Sequence, residues 1–102
     1  MARHAVFEWD SQKAAANLAR HGVRFDDAAF TLADAFGDRF HIEEPDLSDD
    51  NGEERWITMG TVPTNRAILL VIVWTMRGDA TRIISARTAT NTERRRYEQE
   101  RP

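Results

Sequence analysis

The chain has 102 residues, 41% of them hydrophobic and 30% charged. That apolar content excludes wholesale disorder, and the length suits one packed core but not two, so a single domain over residues 1–102 is expected. There is no cysteine, which excludes disulfide and thiolate chemistry and makes a cytoplasmic protein the expectation. The longest apolar run spans only residues 67–74. A spanning helix needs about 20 apolar residues, so no membrane segment is expected. The N-terminus reaches Glu8 and Asp10 without an apolar stretch and does not read as a signal peptide.

The net charge of −3 conceals a division. Residues 1–54 carry 13 acidic and 5 basic side chains, a net of −8, whereas residues 55–102 carry 9 arginines against 4 acids, a net of +5. Lys13 is the single lysine beside 13 arginines. Codon bias accounts for such a ratio, but arginine also offers a planar fork of donors that fits phosphate. The division points to a basic surface for a polyanion or an acidic partner.

The predicted elements follow in chain order. Ala5 to Trp9 reads as a short strand. Asp10 is a good N-cap for an alanine-rich helix that stops at Gly22. Asp26 or Asp27 caps a second helix, with Ala28, Ala29, Leu32, Ala33 and Phe36 at helical spacing and Gly37 as its end. Residues 38–44 alternate as a strand, and residues 43–54 hold seven carboxylates and no base, the signature of a solvated loop. Strand character resumes from Arg55 to Thr61, turns at residues 63–66, and continues from Ala67 to Thr75 as a central strand covered on both faces. A turn at Arg77-Gly78-Asp79 leads to the last strand, Thr81 to Arg87. Thr90-Asn91-Thr92-Glu93 matches a capping box opening a final helix. That helix lacks an apolar stripe, and Tyr97 is its one large apolar body, so it is expected to be loosely held or to await a partner. The order β-α-α-β-β-β-β-α gives an α+β fold: a mainly antiparallel sheet of about five strands, two N-terminal helices and one C-terminal helix.

Most catalytic constellations are missing from the residues. No G-x-S-x-G elbow is present, and Ser85 sits within a strand beside Arg87. His4, His21 and His41 are scattered and match no metal spacing, so neither a metal nor another cofactor is expected. A calcium-loop reading of Asp46, Ser48 and Asp50 fails, because Gly52 falls at loop position seven and Ile57 stands where a glutamate is required. The basic half is more informative. Arg82, Arg87, Arg94, Arg95 and Arg96 fall within fifteen residues, followed by Tyr97. Strand parity sets Arg82 and Arg87 on opposite faces, while Arg94 and Tyr97 share a helix face that chain reversal brings towards Arg87. Several arginines and a phenol suit RNA backbone cleavage, in which the 2′-hydroxyl attacks the neighbouring phosphorus. On composition alone, such a helix is more often a solvated face, and Glu93 is most simply a capping residue. Trp56 and Trp74 read as core, Trp9 as core or an interface anchor, and Arg55 as a partner of the acidic loop.

Three groups of residues, in order, resemble the BrnT toxins of bacterial type II toxin–antitoxin modules. They are Phe7-Glu8-Trp9-Asp10 with Lys13, Asn17-Leu18 and His21-Gly22-Val23; Glu53-Glu54-Arg55-Trp56 leading to Gly60; and Arg82-Ile83-Ile84-Ser85-Ala86-Arg87 with Glu93-Arg94 and Tyr97. The match covers roughly residues 7–97 and departs from the family's common pattern at Arg20, Leu47 and Thr88. The resemblance implies a RelE/ParE-like fold and a metal-independent endoribonuclease of the mRNA-interferase type that inhibits translation. It implies a cognate BrnA-like antitoxin with a ribbon-helix-helix DNA-binding domain, and contact with operator DNA only through that complex. It places a catalytic set at Arg87, Arg94, Tyr97 and Glu93, and substrate-binding residues at Arg55, Arg82 and Arg95. By their chemistry, Arg87 and Arg94 act on the phosphate, Tyr97 donates a proton or stacks on a base, and Glu93 is a candidate base. The alternative is an inactive binding module that serves only as an antitoxin-bound co-repressor, since a fold alone does not set activity.

Overall fold

The computed structural model describes residues 6–48 and 53–102. Eight elements follow the expected order: β1 (Val6–Glu8), α1 (Ser11–His21), α2 (Phe25–Phe36), β2 (Ile42–Pro45), β3 (Trp56–Val62), β4 (Asn65–Arg77), β5 (Ala80–Thr88) and α3 (Asn91–Glu100). One five-stranded sheet runs β1-β5-β4-β3-β2, antiparallel except where β1 lies parallel to β5. The Ile/Leu/Val run of β4 takes the centre, as its two-sided apolar character requires. Ala5 and residues 49–52, assigned above to a strand and to the acidic loop, lie outside the described residues. Among the described residues, no helix is long and apolar enough to cross a membrane.

The two faces of the sheet carry different cores. Helices α1 and α2 cover one face, where Phe25, Ala28 and Leu32 pack on Leu70, Ile72, Trp74, Ile83 and Ala86. Trp56 and Trp9 pack at the margin of this core, with ring contacts from Trp56 to Trp74 at 6.3 Å and from Trp9 to Phe25 at 6.1 Å. Gly60 lies where α2 presses on β3; a Cβ there would sit 3.4 Å from Thr31 Cγ2. Helix α3 covers part of the opposite face, with Tyr97 over Ile42, Met59, Leu69 and Val71.

The caps show local chemistry at work. Asp10 Oδ1 accepts from the N–H groups of Gln12 and Lys13 and is held below the usual carboxylate range by those bonds. Gly22 ends α1 at φ 70°, a left-handed conformation that favours glycine. Helix α2 departs from expectation. Its N-cap is Arg24 and its first residue is Phe25, because burying the Phe25 ring fixes the start; Asp26 and Asp27 fall in the first turn, where they suit the dipole instead of capping. Strand β2 begins only at Ile42, not at residue 38, and extends to Pro45; Glu43 and Glu44 belong to the strand, as expected, and the acidic loop begins after them.

Helix α3 is docked, contrary to the expectation of a loosely held element. Tyr97 is 3% exposed and meets Phe40 with ring centroids 5.1 Å apart. Arg96 forks onto Glu44 of β2 at 2.9 and 3.1 Å and also bonds Glu100 at 2.7 Å. One aromatic anchor and a bidentate clasp replace the missing apolar stripe.

Candidate functional site

Strand β5 contains an extra residue that decides what the site contains. Ser85 stands opposite Val73, but Ile83 stands opposite Trp74, so Ile84 is left over as a bulge. Ile83 and Ala86 therefore enter the same core although they are three residues apart. Their neighbours Arg82, Ser85 and Arg87 share the other face, the one that α3 partly covers. Simple alternation had set Arg82 and Arg87 on opposite faces; the bulge overturns that, and no glycine marks it in the sequence.

Cross-strand register then lays out this face in rows. Arg87, Val71, Met59 and Ile42 form one row, and α3 lies over it, from Glu93 at Arg87 to Arg96 beside β2. Ser85, Val73, Ile57 and Glu44 form the next row. Glu8, Arg82 and Thr75 form the third, and Arg55 continues it one residue before β3, where Thr75 Oγ1 donates to the carbonyl of Glu54. The second row is half-buried from Ser85 through Val73 to Ile57. It forms the floor of a trough between α3 and the Arg55–Arg82 row. Four residues of strand separate the two walls, about 13 Å at ~3.3 Å per residue.

The trough holds four of the seven nominated residues. Arg87 meets Glu93 through Nη1–Oε1 at 2.8 Å and Nη2–Oε2 at 2.9 Å. Glu93 Oε1 also accepts from the Thr90 N–H at 2.8 Å, and Thr90 Oγ1 accepts from the Glu93 N–H at 3.2 Å, completing the capping box. The Arg87 guanidinium and the Thr90 N–H hold the Glu93 carboxyl at about 2, and the paired carboxylate raises Arg87 in turn. A carboxylate that acidic is a poor proton acceptor near neutrality, so this geometry makes Glu93 a holder of Arg87 and not a base. Arg82 Nη1 lies 2.7 Å from Glu8 Oε2, and Arg55 Nη2 lies 3.4 Å from Glu53 Oε2.

The other three are not brought to the trough. Arg94 Nη2 donates to the Ala67 carbonyl at 2.9 Å, and Ala67 lies four residues along β4 from Val71, the partner of Arg87. The guanidinium thus ties the far side of α3 to β4. Tyr97 faces the core, so its ring offers no surface for a base. Arg95 bonds Thr92 Oγ1 at 3.4 Å on the exposed side of α3. Conversely, Arg96, counted in the basic cluster without a role of its own, pairs with Glu44; the pairing spans 52 positions, and no local signal announces it.

The acidic half of the chain folds back on the basic half. Glu8 neutralises Arg82, Glu44 neutralises Arg96, and Asp34 takes Arg66 at 2.7 Å. The trough is therefore a set of guanidiniums held in place by carboxylates, not a bare basic surface. An anion entering it finds forks already oriented and shares them with those carboxylates. Among the described residues, no group of three or more His, Cys, Asp or Glu side chains could hold a metal.

Comparison with known proteins agrees with this architecture. The crystal structure of the Brucella abortus ribonuclease toxin BrnT superposes with a TM-score of 0.59 at 22% identity, covering 86% of this chain and all of that one. At that identity the likeness speaks for the fold. The comparison with curated proteins gives no match. The family profile described as "Ribonuclease toxin, BrnT, of type II toxin-antitoxin system" matches residues 9–93, from Trp9, just after β1, to Glu93 in the trough. That span takes in most of the chain, which belongs to the BrnT family of type II ribonuclease toxins.

Proposed function

We propose that the trough is the RNA-cleaving site of a metal-independent endoribonuclease that inhibits translation as an mRNA interferase. The observation that carries this reading is Arg87, whose guanidinium is presented at the trough wall by a two-point contact with Glu93. In the reaction the 2′-oxygen forms a bond to phosphorus and the P–O5′ bond breaks. The 2′-hydroxyl gives up a proton, and the 5′-oxygen gains one. Negative charge accumulates on the non-bridging oxygens, and a preoriented guanidinium stabilises it there. Arg87 serves that phosphate, and Arg82 and Arg55 anchor the strand along the opposite wall. Glu93 positions Arg87 from behind.

The toxin's partner is proposed to be a BrnA-like antitoxin with a ribbon-helix-helix domain, with operator DNA bound only through the complex. Purified, antitoxin-free protein should cleave single-stranded RNA in EDTA and leave a 2′,3′-cyclic phosphate and a 5′-hydroxyl. Loss of cleavage on chelation, restored by one divalent ion, would overturn metal independence. The carboxylates on Arg82 and Arg96 favour a second reading, an inactive module that acts only as antitoxin-bound co-repressor. Absence of cleavage by soluble, folded toxin, together with operator binding by the complex, would establish it.

A further inference from the structure

We propose that Ser85 is a substrate contact that hydrogen-bonds the ribose 2′-hydroxyl of bound RNA. The inference rests on the ribonuclease reading and adds to it a residue that distinguishes RNA from DNA. It stands on three observations. First, the Ile84 bulge brings Arg82, Ser85 and Arg87 onto one face, with Ser85 one row from each arginine. Second, Ser85 is half-buried on the floor beside Val73 and Ile57, which offer no hydrogen-bonding side chain. Third, among the described residues its hydroxyl has no hydrogen-bond partner, although that of Thr75, on the same face, has one.

Arg82 and Arg87 stand on walls about 13 Å apart, a gap that more than one nucleotide spans, so a strand whose phosphates they hold carries a sugar over Ser85 between them. A sugar there presents one polar group that DNA lacks, the 2′-hydroxyl, which both donates and accepts. The serine hydroxyl also does both, so the two groups match whichever supplies the proton. The backbone beneath is firm. Ala86, the next residue, is gripped by Asn17, which accepts from its N–H at 3.1 Å and donates to its carbonyl at 2.8 Å.

The test compares wild type, Ser85→Ala and Ser85→Thr in steady-state cleavage of a single-stranded RNA, with a DNA strand of the same sequence as competitive inhibitor. Ser85→Ala should lower kcat/KM about threefold to tenfold, the worth of one uncharged hydrogen bond. The DNA inhibition constant and the melting temperature should stay at their wild-type values, and Ser85→Thr should restore most of the loss. Unchanged kcat/KM overturns the proposal. So does an equal loss of RNA and DNA affinity, which would reflect a general disturbance of the trough. If DNA does not compete even with wild type, the RNA loss and its rescue by threonine decide alone. A wild-type protein that is folded and cleaves no RNA overturns the ribonuclease reading, and this proposal with it; the unchanged Ser85→Ala rate overturns this proposal only.

Discussion

Arg87 and Glu93 are joined end on, through both terminal nitrogens of the guanidinium, and the same carboxylate closes the capping box of α3. The charged group of the trough and the start of the helix beside it are thus one unit. Arg87→Ala should lower RNA cleavage about 10²–10³-fold, as removal of a charge-stabilising donor does elsewhere. Arg87→Lys should recover little, because an ammonium has no fork for the carboxylate or the phosphate. Arg94→Ala is the contrast. Its guanidinium bonds the Ala67 carbonyl away from the trough, so it should cost about 1 kcal/mol of stability and far less activity. Cleavage rates measured beside thermal melting check both; equal losses for the two variants would remove Arg87 from its assigned role.

Glu93 makes a second prediction, on pH. Its carboxyl sits at about 2 in the folded chain against an ordinary 4.5. A depressed carboxyl stabilises the fold fully above the unfolded value, and that contribution is lost as pH falls through the folded one. Wild type should therefore exceed Glu93→Gln in melting temperature above about pH 4.5, with the gap closing towards pH 2. Glutamine keeps the capping geometry, so the gap reports the Arg87 pair and not the cap. A gap that persists unchanged to pH 2 would place the stabilisation elsewhere.

Tyr97 divides its two sequence-based roles from the one its burial gives it. At 3% exposure, against Phe40, it acts as the core anchor of α3. Tyr97→Phe should leave both melting and cleavage close to wild type. Tyr97→Ala should cost about 3–5 kcal/mol through the cavity it leaves and should release α3. A large loss of cleavage in a fully stable Tyr97→Phe would restore the proton-donor role.

Local chemistry was legible in the sequence, and long-range pairing was not. The caps at Asp10, Gly22 and Thr90 depend on residues within a turn of one another, and the central place of β4 follows from its own apolar run. Alternation failed at Ile84, because a bulge inside an Ile-Ile-Ser stretch carries no glycine to mark it. The final helix looked unanchored because its anchors, Phe40 and Glu44, lie more than fifty residues upstream of Tyr97 and Arg96. The start of α2 was misplaced for a related reason: burial of Phe25 outweighed the capping preference of Asp26 and Asp27. The arginines were found by type and spacing, but their sorting into trough and clasp required the register of the sheet.

Asn17 ties the helical layer to the strand that carries Ser85 and Arg87. Strand β1 pairs with β5 only from Ala80 to Arg82, so among the described residues no strand pairs with that edge of β5 beyond Arg82. Asn17, 7% exposed, serves in its place: it bonds both polar groups of the Ala86 backbone and donates to the Val23 carbonyl at 3.0 Å. Asn17→Ala should cost about 2–4 kcal/mol, since it leaves a buried N–H and two carbonyls unsatisfied. Asn17→Asp keeps the acceptor but sets a buried carboxylate against two carbonyl oxygens, which raises its pKa. A raised carboxyl destabilises the fold while ionised and ceases to do so once protonated, when its O–H again donates to a carbonyl. Asn17→Asp should therefore gain stability relative to wild type as pH falls from 7 towards 5, the reverse of the Glu93 trend. Both variants should also lose cleavage, because the residues on either side of Ala86 are no longer held. Melting across that pH range is the deciding measurement: an Asn17→Ala that melts with wild type, or an Asn17→Asp whose deficit is flat with pH, would show that Asn17 does not hold this edge.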